Sequence, residues 1–458
     1  MQIERFGIDG VIVLLQTYFQ VNDSTVALLP TFSTIIGVFT QLFFCVFGDR
    51  FDRRNIIVVV ASFSVLMQVL MMMVTPSMFW MFLILRSLSN IGISTTSILC
   101  QVITADLFDG AQRGRAMMIS SMVVIIAVVL NIIGSSFLLT SGLSWKVVIY
   151  IAPLVTAPST VIFYLLMPAS SKRIKDSDPP IKPNVFDDFK DLLKIKSATL
   201  MILGDAAGEI CGKAAMFWLP TIKFYAFSWK TSQFYYGLDF TTLITVTTVA
   251  SLFANFGGMA MNLWWYESWE HGRNIFTGHA NQRALPIVTS IQFIVTKPLM
   301  IVSLFMFTVN YPAFLALYSF TGFLGGGNLA LVANTILNVT PTRQRASAMA
   351  LQLLVLGILD SPSGLIVGAL SDAFRAENTD NKSRFFSLLW ANALLLIFAV
   401  VSAVILIALC YYYPKDAQKA DEQNTESEAL LRVKPDEHLR SRTTSIIDMI
   451  RRNTLEVY

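Results

Sequence analysis

Apolar positions in this chain come in long unbroken blocks, neither alternating as in a half-buried strand nor recurring as the single stripe of a soluble helix. The blocks fall at about 3–20, 25–47, 55–75, 78–104, 116–140, 145–167, 197–227, 236–264, 286–309, 311–338, 346–372 and 385–413. A bilayer crossing takes roughly 20 mostly apolar residues as a helix, because unpaired backbone polar groups are costly in hydrocarbon. The pattern therefore predicts an all-α integral membrane protein of twelve transmembrane helices in two six-helix halves, 1–167 and 197–413. A polar linker, 168–196, joins them, and a polar tail, 414–458, follows. Within the linker, Val185, Phe186, Phe189, Leu192 and Leu193 fall on one helical stripe behind Asn184, placed as an N-cap. That spacing predicts an amphipathic helix lying against the membrane face. The first block is short: Asp9 and Gly10 interrupt the run from Ile8 to Leu15, and Glu4 and Arg5 stand almost at the chain start. The expectation is either that this pair sits at the cytosolic interface or that the first helix lacks its upstream half.

Composition agrees. Over 458 residues, 54% are hydrophobic, only 14% are charged, and the mean hydropathy is +0.60. A soluble domain needs nearly twice that share of charge to cover its surface. This excludes a soluble enzyme, a disordered chain and a secreted disulfide scaffold. Three His and four Cys, with Cys45, Cys100, Cys211 and Cys410 scattered through apolar runs, argue against metal or thiol chemistry. A net charge of +4 is too small to suggest nucleic acid as a partner.

The distribution of charge says more than its sum. Lys and Arg crowd the loops after the even-numbered spans, among them Arg50, Arg53, Arg54, Arg113, Arg115 and the linker lysines, while the opposite loops offer Lys146, Lys230, Arg375, Lys382 and Arg384. By the positive-inside rule both termini and the linker face the cytosol.

Inside the spans, each ionisable group costs about 2.5–3.5 kcal/mol on insertion scales and needs a partner, a wet cavity or a purpose. The candidates are Glu4, Arg5 and Asp9 in the first span, Arg86 in the fourth, Asp205, Glu209 and Lys213 in the seventh, Lys297 in the ninth and Asp360 in the eleventh. Steps of four put Asp205, Glu209 and Lys213 on one face, so Glu209 is expected to neutralise Lys213 within its own helix. Lys297, just before Pro298, is expected to snorkel outward. Arg86 has no carboxylate within four residues, which makes it the candidate for an anionic head group. Asn328 follows Gly325, Gly326 and Gly327, a run that predicts close helix approach or local unwinding.

The segment Gly48, Asp49, Arg50, Phe51, Asp52, Arg53, Arg54 resembles the signature loop of the major facilitator superfamily. Glu4–Arg5–Phe6 followed by Gly10, the stretch Ala105–Asp106–Leu107–Phe108 with Gln112, Arg113 and Arg115, and Thr340–Pro341–Thr342–Arg343 with Asp360–Ser361–Pro362 and Ser371–Asp372 narrow the likeness to the spinster group of lipid transporters. The resemblance covers both halves but not the tail. It implies alternating-access transport of lysophospholipids or sphingoid lipids with no cofactor beyond a proton gradient. Glu4 would be the proton-binding carboxylate, Arg5 its partner and Arg86 the head-group arginine. Asp49, Arg50, Arg53, Arg54, Asp106, Arg113 and Arg115 would form a cytosolic conformational latch. Where the group places a glutamate after the Gly92 position this chain has Ile93, so Asp9 is the remaining carboxylate available to titrate beside Glu4. The rival readings are a facilitator for a sugar or small organic anion, and a membrane receptor that does not transport. An enzyme fits least, since no nucleophile and base can be assembled within the spans.

In the tail, Glu426 four residues before Leu430 and Leu431 resembles an adaptor-read sorting signal, which points to a lysosomal or late endosomal membrane, with the plasma membrane as the alternative. Asn381 with Ser383 and Asn22 with Ser24 form glycosylation sequons on the opposite side.

Overall fold

The computed structural model describes residues 8, 10–47, 52–107, 110–167, 185–230, 232–341, 344–376 and 378–455; the side chains of 42, 45–47, 53, 97–98, 101–102, 104–107, 110–125, 185–188, 232–233, 346 and 426–455 fall outside that description. Among the described residues every regular element is a helix. Among the described residues a helix falls within each predicted block, the first of only eight residues: α1 Ile12–Phe19, α2 Leu28–Phe47, α3 Arg53–Met71, α4 Phe79–Leu107, α5 Gly110–Ser141 and α6 Lys146–Leu166 in the first half. The second half has α7 Lys196–Trp229, α8 Phe240–Glu270, α9 Ala284–Met306, α10a Tyr311–Gly325, α10b Asn328–Asn338, α11a Arg345–Asp360, α11b Ser363–Arg375, α12a Asn381–Leu394 and α12b Leu396–Leu455. Eight of these stretches, among the described residues, are long and apolar enough to cross a bilayer by length and composition. Large apolar side chains stay exposed on their outer faces, including Leu154, Leu165, Ile397, Val404 and Ile407. Such a surface is stable only against lipid.

Local chemistry sets the helix starts. The Asp52 carboxylate accepts from the Arg54 amide at 3.2 Å, that of Asp239 from Thr242 at 3.1 Å, and the Asn310 side chain from Ala313 at 3.1 Å. Each satisfies an amide that the first turn leaves without an intrahelical partner. At the glycine run, α10 breaks. Gly327 takes φ 79°, a left-handed value, and Asn262 of α8 donates to the freed carbonyls of Leu324 at 3.0 Å and Gly326 at 2.9 Å. Gly258 of α8 meets the Phe323 carbonyl so closely that any Cβ there would overlap it. The predicted local unwinding is thus a backbone-to-backbone crossing of α8 and α10.

The helix Val185–Lys194 in the linker buries Leu192 and leans Phe189 against Met201, Ile202, Ile336 and Leu351, at the ends of α7, α10b and α11a. Leu193 stays exposed. Of the predicted stripe, Phe189 and Leu192 dock on the second half, and the side chains of Val185 and Phe186 lie outside the described residues. On this linker face α12b also runs past residue 413, and Asp416 accepts from the Ser197 amide at 2.9 Å and hydroxyl at 2.7 Å. A carboxylate at the first turn of α7 is favoured both as a cap and by the helix dipole.

Candidate functional site

Two groups of charges meet the requirements of a transport path. The first lies at the distal face, opposite the linker, and ties the halves together. Asp23, in the short helical turn Asp23–Val26 before α2, is buried. Its carboxylate receives Arg375 Nη1 at 3.0 Å and Ser371 Oγ at 2.9 Å, both from α11b, and the Gln16 side-chain amide from α1. Asp372 of α11b closes the ring, accepting from the Ser24 amide at 2.9 Å, the Asp23 amide at 3.3 Å and Arg375 Nη2 at 2.8 Å. Gln16 Oε1 accepts from Tyr225 Oη of α7, which in turn accepts from Arg384 of α12a at 2.9 Å. The backbones come close enough for this because residue 368 is glycine: a Cβ there would sit 2.6 Å from the Asp23 carbonyl oxygen. Thr140 of α5 and Thr241 of α8 add a hydroxyl contact at 3.0 Å, and Thr31 donates to the Ser361 carbonyl at 3.0 Å nearer the membrane centre. The distal face is closed.

The second group belongs to the C-terminal half alone. Lys297 Nζ of α9 lies 2.7 Å from Glu209 Oε1 of α7, with both side chains mostly buried. Lys213 sits 3.8 Å from Asp360 at the end of α11a, and Gln352 of α11a donates to Asp205 at 3.0 Å. This corrects two expectations. Glu209 bonds Lys297, not the lysine one turn along its own helix, and Lys297 points inward instead of snorkelling. A carboxylate taken out of water is strongly destabilising unless a cation compensates it, and Lys297 reaches Glu209 at hydrogen-bonding distance. Beside the pair is a cavity of about 180 Å³ whose walls include Gln292, Met216, Phe293, Met300 and Asn328. The Oδ1 of Asn328 and the Oε1 of Gln292 are buried without a donor among the described residues. A cavity with one ion pair, two acceptors to spare and a methionine and phenylalanine wall suits an amphiphile whose polar end carries N–H or O–H groups.

In the N-terminal half Arg86 of α4 is buried, at 3% exposure. Gln68 of α3 and Ser87, Ser89 and Asn90 of α4 are buried as well. Gly92 lets α4 approach α3, since a Cβ would stand 2.7 Å from the Val60 carbonyl oxygen, and Ile93 beside it is buried. Of the proposed latch, Arg54 is described: its Nη2 donates to the Tyr164 carbonyl at 2.6 Å and its guanidinium lies 4.1 Å from that ring. Glu4, Arg5, Asp9, Asp49 and Arg50 lie outside the described residues, as do the side chains of Arg53, Asp106, Arg113, Arg115, Glu426, Leu430 and Leu431. The structure thus brings together Glu209, Asn328 and Lys297 at one cavity, with Asp360 paired to Lys213 nearby, and leaves Arg86 in the other half. Sequence reasoning missed the distal ring. Asp23 and Arg375 are 352 positions apart, and the one available signal was an acidic residue beside a span with arginines in the facing loops.

Comparison with known proteins places these features. Residues 1–280 match the model of the Major Facilitator Superfamily. The chain is 26% identical over 444 residues to protein spinster homolog 3 of Danio rerio, covering 93% of this chain and 85% of that one. It is 23% identical over 441 residues to the sphingosine-1-phosphate transporter SPNS2 of Xenopus tropicalis, covering 92% and 81%. Among solved structures it is similar, at a TM-score of 0.66 and 14% identity, to a bacterial homolog of the human lysosomal transporter Spinster in an inward-facing, unoccupied conformation, covering 91% of this chain and 95% of that one.

Proposed function

This chain belongs to the Major Facilitator Superfamily, and on that premise we propose that it moves a lysophospholipid or sphingoid lipid, of the sphingosine-1-phosphate type, between its two halves by alternating access. It is a multi-pass membrane transporter and not an enzyme. The fold alone does not choose a substrate. The observation that carries the lipid reading is the cavity between α7, α9 and α10, where Glu209, Lys297 and two amide oxygens share walls with Met216, Phe293 and Met300. A sugar site would need polar groups around most of its wall. Likeness to a sphingosine-1-phosphate transporter over nine-tenths of the chain supports the same choice. Arg86 is the head-group arginine of the facing half in this reading.

The positive-inside asymmetry puts the linker face and both termini in the cytosol, so the closed distal face points outward or to a lumen. Asp49, Arg50, Arg53, Arg54, Asp106, Arg113 and Arg115 latch the cytosolic face in the opposite state. A proton gradient drives the cycle through Glu4 and Asp9, with Glu209 and Asp360 next in line. Glu426, Leu430 and Leu431 direct the protein to lysosomal membranes through sorting adaptors, so Leu430→Ala with Leu431→Ala shifts it to the plasma membrane. The test of the main reading is flux in proteoliposomes with labelled lysophosphatidylcholine, sphingosine 1-phosphate and a sugar. Lipid flux without sugar flux is expected. Sugar flux alone would overturn the lipid reading, and lipid binding without flux would make the chain a receptor.

A further inference from the structure

Lys223 of α7 was not among the charges that the sequence singled out, and it is buried away from any carboxylate among the described residues. It is only 4% exposed, yet among the described residues it has neither an ion-pair nor a hydrogen-bond partner. What it faces is two rings of α10a: its Nζ stands 4.8 Å from the centroid of Tyr318 and 5.4 Å from that of Phe314. Ring faces attract an ammonium, but they leave its three N–H donors unbonded. Burying an ammonium is expensive, and a methionine of similar length would fill the same space without that cost.

Its position on the helix connects it to the cavity. Glu209, Met216 and Lys223 recur every seven residues, so they line one face of α7. Opposite them Asn328 and Gly325 border the cavity, while Tyr318 lies seven residues before Gly325 along α10 and packs beside Lys223. Lys223 therefore stands about 21 Å along the helix from Glu209, at 1.5 Å per residue, on the same seam and near the distal ring of Asp23 and Arg375. The two lysines of this seam are not equivalent. Lys297 is paired with Glu209 at 2.7 Å, whereas no carboxylate pairs with Lys223 among the described residues.

We propose that Lys223 is an anion-receiving residue of the transport path, which binds a phosphate or carboxylate head group near the distal end of the seam, with Tyr318 and Phe314 holding its ammonium until the anion arrives. The proposal deepens the lipid reading and rests on it for the apolar part of the ligand. The chemistry that would recognise the site is a phosphomonoester: compact, multiply charged and able to accept all three N–H bonds.

The test uses the full chain in nanodiscs and measures binding of sphingosine 1-phosphate, sphingosine and glycerol 3-phosphate to wild type, Lys223→Met and Lys223→Arg, with the melting temperature of each. Lys223→Met is expected to fold at least as stably as wild type and to weaken sphingosine 1-phosphate binding about tenfold or more, leaving sphingosine binding unchanged. Lys223→Arg is expected to keep most of the affinity. Equal weakening of sphingosine and its phosphate in a stable Lys223→Met protein, or no weakening of either phosphate compound, overturns the proposal. If wild type ignores both lipids but binds glycerol 3-phosphate in a Lys223-dependent way, the anion site stands and the lipid reading falls. If wild type binds sphingosine while Lys223→Met leaves all phosphate binding intact, the lipid reading stands and this inference falls.

Discussion

The distal ring and the cluster around Glu209 are built from the same chemistry, carboxylates met by long cations in mostly buried settings, yet they join different things. The Asp23–Arg375 pair and the bond from the Ser24 amide to Asp372 link the two halves, so they exist only while the distal face is shut, whereas Arg375 and Asp372 also pair within α11b. Glu209, Lys297, Lys213 and Asp360 all belong to one half, so their pairing survives if that half moves as a rigid body. A contact influences a conformational equilibrium only through its difference in energy between the states. By that criterion the ring is placed to act as a gate and the cluster is not. The same test separates Thr140 with Thr241, which joins the halves, from Asn262 with Gly326, which does not.

The largest effect is expected from Arg375→Ala. It leaves Asp23 buried with neutral partners, at a cost of about 3 kcal/mol that is felt only with the distal face closed. That corresponds to a shift on the order of a hundredfold toward the distal-open state. Labelling of Thr31→Cys from the distal side should rise accordingly, and unchanged labelling would reduce the ring to a surface ornament. Glu209→Gln should cost a similar amount, about 3 kcal/mol, but in both states, because Lys297 is left unpaired in either. A lower melting temperature with unaltered distal labelling is the expected pattern; Glu209→Gln with Lys297→Met should recover stability without recovering flux.

How far these two regions were legible in advance differs for a physical reason. Span positions follow from hydropathy, a local property, and the break at Gly325–Gly327 follows from what glycine permits, so both could be read directly. The pairing of Glu209 could not. An i,i+4 neighbour in Lys213 and a lysine on another helix compete for the same carboxylate, and helix packing decides between them. Asp23 and Arg375 were harder still, because each sits at a span end, where a charge needs no explanation from sequence alone. Lys223 escaped notice inside a run of aromatic residues, Trp218, Phe224, Tyr225 and Phe227, that read as plain membrane helix. The linker stripe was readable as amphipathic, but its docking surface on α7, α10b and α11a was not.

A moderate effect is expected at Arg86. Arg86→Lys keeps the charge but loses the planar fork that can grip a phosphate through two bonds, so lipid flux should fall roughly tenfold with normal expression. Survival of both flux and surface expression in Arg86→Ala would remove it from head-group binding.

The smallest effect serves as a control for the gate. Asp239 is an exposed distal carboxylate, and the hydroxyl and amide of Thr242 hold its pKa below the usual carboxylate range. A lowered value means that its capping bonds contribute fully above the unfolded pKa and are lost as pH falls through the folded one. Asp239→Ala should cost about 1 kcal/mol at neutral pH, as N-cap losses do, and the difference from wild type should vanish in acid. Distal labelling should not change, since this cap joins no two halves. Altered labelling would mean that any loss of distal charge opens the face.

The central claim, that the ring across the halves governs opening whereas the cluster within one half does not, is tested most directly by a distance between the halves. Spin labels at Leu143→Cys and Val309→Cys, exposed distal positions of the two halves, report it by pulsed electron resonance in a protein whose native cysteines have been replaced. The account predicts one short distance for the otherwise native chain, a dominant longer distance with Arg375→Ala and the short distance again with Glu209→Gln. Identical distances in all three, or opening by Glu209→Gln as large as that by Arg375→Ala, would contradict it.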